Sequence, residues 1–300
     1  MKYQKWFGNT LQSNIYILTD NNQIGIANEI LLGLDYRTSK VINLDVENIE
    51  KDDLKNLKST DYLIVALSFN SFVFKGYNKI LPTFRKPESV NCRYVFIRLD
   101  ISLESFVEGL NTDVVQMIEK TNGYTAIENG TSIRVTSNEG TNITFAINQF
   151  KSFSHFINDE STVAFLPPSE ICSGIHLGTA NGQIVVDLTI GQLYRNGNLL
   201  EEFGLLEKNV TLLIKDSRIV SIVGSNRLRD LLNGFESEAM NIVELGVGLS
   251  EMSPTGNIGI DESISNTCHF GIGDGTFYGI ENKSSIHLDV VIRNPSIDLV

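Results

Sequence analysis

The chain has 300 residues, 42% of them hydrophobic and 20% charged, enough apolar material for a sizeable core and for two domains. A net charge of -12 with no Lys/Arg-dense stripe argues against a nucleic-acid partner, and no apolar run approaches the roughly 20 residues that a membrane-spanning helix needs. The start, Met-Lys-Tyr-Gln-Lys-Trp, lacks a signal-peptide core, so the expected location is cytoplasmic.

From Asn14 onward, short apolar runs alternate with amphipathic stretches. Ile15–Leu18 reads as a strand, Ile24–Leu34 as a helix, Lys40–Leu44 as a strand and the charged Asp45–Lys58 as a helix. Tyr62–Leu67 and Tyr94–Leu99 continue the strands, and Ser102–Lys120 reads as one more helix ended by Thr-Asn-Gly123. This order predicts a mostly parallel sheet in an α/β N-terminal domain.

The pattern then changes. Ser132–Thr136 and Asn142–Ile147 alternate apolar and polar residues around Glu139-Gly140, a hairpin signal. Beyond Thr162, β-rich runs dominate (Val163–Leu166, Gln183–Leu188, Leu193-Tyr194, Thr211–Lys215, Ile219–Val223). Asn-Gly pairs at Asn181, Asn196 and Asn233 punctuate them, with one helix at Asn226–Phe235. The expected division is residues 1–155 as the α/β domain and 156–300 as a β-rich α+β C-terminal domain that carries the chemistry.

Three widely spaced cysteines, Cys92, Cys172 and Cys268, include no Cys-x-x-Cys pair and are expected to be reduced, structural thiols. Two of the four histidines fall near the end, in Cys268-His269-Phe-Gly-Ile-Gly-Asp-Gly275 and Ser285-Ile-His287-Leu-Asp289. A strand from Ile286 to Ile292 would put His287 and Asp289 on one face, and His269 from a neighbouring segment would add a second nitrogen. Two imidazoles and a carboxylate suffice for zinc, cobalt, manganese or ferrous iron. His155 and His176 carry no spacing signal.

Other motifs read modestly when taken singly. Gly271-Ile-Gly273-Asp-Gly275 lacks the Lys-Ser/Thr of a phosphate loop and is expected to be a turn that brings backbone close to a site. In Glu244-Leu-Gly-Val-Gly248 the carboxylate stands where a strand is expected to break into a tight turn, and Glu170 follows the proline-stiffened Leu166-Pro-Pro-Ser. Asp20-Asn-Asn-Gln-Ile-Gly25 has one glycine only, so no dinucleotide cofactor is expected.

Together, Pro-x-Ser-Glu170, Glu244-Leu-Gly-x-Gly, Gly256-Asn, His269-x-x-x-Gly and Asn282-Lys-Ser-x-x-His287-x-Asp289 resemble the M29 family of metallo-aminopeptidases, the aminopeptidase T type. Gly140-Thr-Asn-Ile-Thr-Phe145 is similar to that family's hairpin motif. The resemblance implies metal ligands at Glu170, Glu244, His269, His287 and Asp289, holding two divalent ions such as zinc, cobalt or manganese. Catalytic roles for Glu244 and Tyr278, a peptide or amino-acid-derived substrate and a homodimer are implied with them. The chain departs from the family in two places. The family's tyrosine position falls on Thr276, with Tyr278 two residues later, and 17 residues separate His269 from His287, a short connection.

A relative of the same fold, the 2,5-dihydroxypyridine dioxygenase group, implies instead one ferrous ion on His269, His287 and Asp289. In that reading Glu170 and Glu244 contact the substrate or the ligands. A specialised member that binds a peptide or partner without catalysis is the third reading.

Overall fold

The computed structural model describes residues 2–49, 54, 56–79, 81, 91–158, 161–195 and 198–300. The chain forms two compact units, Met1–Val114 with Phe153–Pro168, and Val115–Ser152 with Ser169–Val300. It therefore passes between them three times, where the sequence reading has a single passage at 155/156.

The strands of the first half are β1 (Asn14–Thr19), β2 (Thr38–Asn43), β3 (Tyr62–Ala66), β4 (Arg93–Ile97), β5 (Ser132–Thr136), β6 (Asn142–Ala146), β7 (Lys151–Ser152) and β8 (Val163–Leu166). In the first unit β2-β1-β3-β4-β8 form one sheet, parallel throughout. The α/β expectation thus holds, with a fifth strand that arrives only after the β5–β6 hairpin. Every residue of β3 is buried, as expected for a central parallel strand covered on both faces. One face packs Leu18, Leu63, Val65 and Phe96 against Phe72, whose ring meets Phe96 edge-on at 5.1 Å. The helix Ile24–Gly33 buries Ile26, Ala27 and Ile30.

Two helix expectations change. Residues 44–47 form turns and a bend rather than a helix, because Asn43 Oδ1 accepts the Asp45 amide at 3.0 Å and closes a local turn; residues 50–53 and 55 of that stretch lie outside the described residues. Ser102–Lys120 is two helices, Leu103–Leu110 and Val114–Thr125. Ser102 caps the first, and Thr112 Oγ1 donates to the Gly109 carbonyl at 2.7 Å, closing its end.

His155, in the first unit, is 2% exposed with Nδ1 3.2 Å from the Phe165 carbonyl. Burial pushes its pKa from 6.5 down to about 4; the hydrogen bond opposes this and the Arg98 cation adds to it. The unfolded chain therefore binds this proton more tightly than the folded one. The stability at stake is fully present above about pH 6.5, lost as pH falls toward 4, and amounts to about 3 kcal/mol. Urea unfolding should show the advantage of wild type over His155→Gln shrinking by that amount between about pH 7 and pH 4. A constant gap would contradict it.

The second unit adds β9 (Glu170–Gly174), β10 (Asn181–Val186), β11 (Thr189–Arg195), β12 (Asn198–Leu205), β13 (Val210–Lys215), β14 (Arg218–Val223), β15 (Ile242–Gly248), β16 (Thr267–Gly273), β17 (His287–Arg293) and β18 (Ser296–Leu299). Two antiparallel sheets result, β14-β13-β10-β6-β5-β18 and β12-β11-β17-β16-β15-β9-β7. The β5–β6 hairpin belongs here, and Phe145 on β6 meets Phe270 on β16 edge-to-face at 6.0 Å, joining the two inner faces. In β15–β17 the alternate residues Leu245, Val247, Phe270, Ile272, Leu288 and Val290 are all buried hydrophobics. The alternation aims the residues between them at the opposite face.

Candidate metal centre

That opposite face carries Glu170 and Cys172 on β9, Glu244 and two glycines on β15, His269 and two glycines on β16, and His287 and Asp289 on β17. The pairing sets them in rows. Cys172, Gly246 and His269 lie side by side, and the next row is Gly174, Glu244, Gly271 and Asp289. Gly248 pairs with Glu170 and Gly273 with His287. Each large polar side chain thus has a glycine beside it.

The glycines are strand residues, not the turns that the sequence reading expects. A methyl group on Gly246 would stand 1.9 Å from His269 Cε1 and 2.3 Å from Nε2, and one on Gly271 would stand 2.6 Å from Glu244 Oε2. The imidazole and the carboxylate lie flat over the backbone that the missing Cβ atoms leave bare. Glu244, likewise, is no loop-edge residue: its side chain is 1% exposed in the middle of the sheet.

The five residues expected from the sequence converge. His269 Nε2 is 3.3 Å from Glu170 Oε2 and 3.4 Å from Glu244 Oε1. His287 Nε2 is 3.2 Å from Glu244 Oε2 and 3.1 Å from Asp289 Oδ1. Glu244 therefore lies between two imidazoles, turning one oxygen to each. Donor atoms group as Glu170, Glu262 and His269, and as Glu244, His287 and Asp289, each set within 4.8 Å. The centre is closed around His269 and Glu244 and opens at His287 and Asp289, whose side chains are 30% and 18% exposed.

Supporting contacts orient these groups. His287 Nδ1 donates to the Asp274 carbonyl at 2.8 Å, an acceptor only, which leaves Nε2 facing two carboxylates. Asn282 Nδ2 donates to the carbonyls of Glu238 at 2.9 Å and Gly273 at 2.5 Å, so the Asn-Lys-Ser motif fastens β16 to its loop. Buried Asp261 accepts the amides of Thr255 at 2.7 Å and Gly256 at 2.9 Å, which fixes the Gly256-Asn257 segment ahead of Glu262. The Tyr278 ring lies 5.9 Å from that of His287.

The charge balance of this face calls for cations. Burial alone would lower the pKa of His269, yet the charge of Glu170, followed by that of Glu244, raises it to about 10. Asp289 and Glu244 outweigh burial in the same way and raise His287. Burial opposes ionisation of Glu244, but the imidazoles of His269 and then His287 beside it hold it down to about 2. Glu244 Oε2, though near His287 Nε2, is buried and makes no well-aligned hydrogen bond. Four carboxylates around two imidazoles are a donor set that fits divalent first-row ions. Burial raises the Tyr278 phenol pKa, and Glu244, Glu170 and Asp289 raise it further, so the hydroxyl keeps its proton.

Glu262 and Cys172 join the donor groups although neither is among the ligands expected from the sequence. Glu262 has no motif spacing to reveal it, since it follows the short helix Ile258–Asp261. The period-2 offset from Glu170 is the signal that places Cys172 on the same face.

No curated protein sequence matches the chain. Among solved structures, a 2,5-dihydroxypyridine dioxygenase from Pseudomonas putida KT2440 is similar over 97% of this chain and 89% of its own, with a TM-score of 0.59 and 16% identity. Wild-type AmpT from Thermus thermophilus, an M29 aminopeptidase, is similar over 100% of this chain and 92% of its own, with a TM-score of 0.52 and 12% identity. At these identities the likeness is one of fold, and both groups that the sequence resembles share it. The family match itself falls on the group that the sequence reading places second: residues 116–299 match the model for 2,5-dihydroxypyridine 5,6-dioxygenase, NicX, and the chain belongs to that family.

Proposed function

We propose that the chain is a metal-dependent hydrolase that releases the N-terminal residue of peptides through a two-ion centre, within a family whose fold also serves ring cleavage. The observation that carries this reading is Glu244 between His269 and His287, one oxygen toward each. Glu170, His269 and Glu244, with Glu262 alongside, would hold one ion, and Glu244, His287 and Asp289 the other. Zinc, cobalt or manganese suits these donors. Bound ions would supply Lewis-acid polarisation of a carbonyl and a water of lowered pKa.

The chain's own groups complete the chemistry. Asp274 holds His287 in the tautomer whose Nε2 faces inward. Tyr278, protonated at neutral pH, donates a hydrogen bond to the carbonyl oxygen as negative charge develops there. Substrate enters on the exposed His287–Asp289 side, and the closed side keeps Glu244 dry.

The family match supports a second reading, one ferrous ion on His269, His287 and Asp289 in a ring-cleaving dioxygenase. Metal analysis and two assays separate them. The hydrolase reading expects two ions per chain and cobalt- or zinc-dependent release of N-terminal residues from short peptides. One iron per chain with oxygen uptake on a dihydroxypyridine, and no cleavage across a dipeptide panel, would overturn it. In either case His287→Ala should lose metal and activity together; full metal content in the purified variant would contradict a ligand role.

A further inference from the structure

Cys172, expected from its lone spacing to be a structural thiol, lies on the face that carries the metal-centre carboxylates. It is 4% exposed and points to the same face as Glu170, two residues before it. Its Sγ and carboxylate oxygens of Glu170 and Glu244 all lie within 4.8 Å of one another. Glu244 is entirely buried in this group, and its Oε2, 3.2 Å from His287 Nε2, makes no well-aligned hydrogen bond there. Among the described residues, Cys172 Sγ donates to the Lys151 carbonyl, a long contact of 3.9 Å. Cys92 and Cys268 are buried too, but neither joins such a group of donors among the described residues.

From this geometry we propose that Cys172 is a sulfur ligand of the ion held by Glu170 and Glu244, and that it makes this position prefer zinc or cobalt over manganese or magnesium. The proposal rests on the two-ion reading above. As the sulfur–metal bond forms, the thiol proton leaves to solvent, so no oxidant or reductant is involved. Thiolate is a soft donor in a set otherwise made of oxygen and imidazole, and softness, more than overall affinity, discriminates among divalent ions.

Cobalt(II) titration of the purified metal-free protein tests this directly. Wild type should develop visible d–d bands that report ion binding and a near-ultraviolet thiolate-to-cobalt charge-transfer band that reports the sulfur. Cys172→Ser and Cys172→Ala should both keep the d–d bands and the stoichiometry, lose the charge-transfer band, and lose at least about tenfold of the preference for zinc over manganese. Far-ultraviolet circular dichroism checks that both variants fold, and the serine variant changes the side chain by one atom. Full cobalt binding without the charge-transfer band, or a band that persists in both variants, overturns the proposal and leaves the two-ion reading standing. Failure of wild type to bind cobalt at all overturns both.

Discussion

Gly246→Ala should lower ion affinity by more than about 100-fold while the fold survives. The new methyl would occupy the place of the His269 ring, 1.9 Å from Cε1, 2.3 Å from Nε2 and 2.7 Å from Nδ1, with no space to share. The imidazole must swing away, which takes Nε2 from Glu170 and Glu244. Overpacking of this kind costs about 1–3 kcal/mol, less than the 5–15 kcal/mol that holds a typical domain together. Elemental analysis beside a thermal melt reads both halves of the expectation. A folded variant with wild-type metal content would show that His269 is not held where its neighbours place it.

Glu244→Gln should reduce the ion content to one or fewer per chain and cut activity at least about 100-fold. The substitution preserves size but replaces one of two acceptor oxygens with an amide nitrogen that only donates, so the side chain can no longer serve both imidazole-bearing halves. A residue in the closed part of the site has little water to substitute for it. Glu244→Asp keeps the charge but shortens the reach, and should fall between the two. Retention of two ions in the glutamine variant would remove Glu244 from the bridging role.

The parts of this centre that follow a residue's own strand were legible in the sequence. His287 and Asp289 share a face because two residues is the strand period, and Glu170, Glu244 and His269 join them as expected. What misled was glycine. Gly246 and Gly271, like Gly248 and Gly273, look like turn residues because glycine weakens strands in general, yet at Gly246 and Gly271 cross-strand His269 and Glu244 need their emptiness. Such a need depends on register between segments some 25 residues apart, which no local window contains. Glu262 is hidden for a similar reason: its place depends on the loop that Asp261 ties down through Thr255 and Gly256. The parallel sheet was legible from its run order, whereas the membership of β8 was not, because its partner β4 lies far back in the chain.

The late arrival of β8 bears on how the protein can be made and divided. A chain cut after residue 125 would carry β1 to β4 without the strand that covers β4, leaving Tyr94, Val95, Phe96 and Ile97 along an open edge. Edges of that kind recruit strands from other molecules. The segment that closes this edge is made after the β5–β6 hairpin, so during synthesis the exposed border must wait for roughly 60 further residues, several seconds at ordinary elongation rates. Neither half is a portable module by simple truncation, and the interval before β8 emerges is the period in which nascent chains are most prone to join one another.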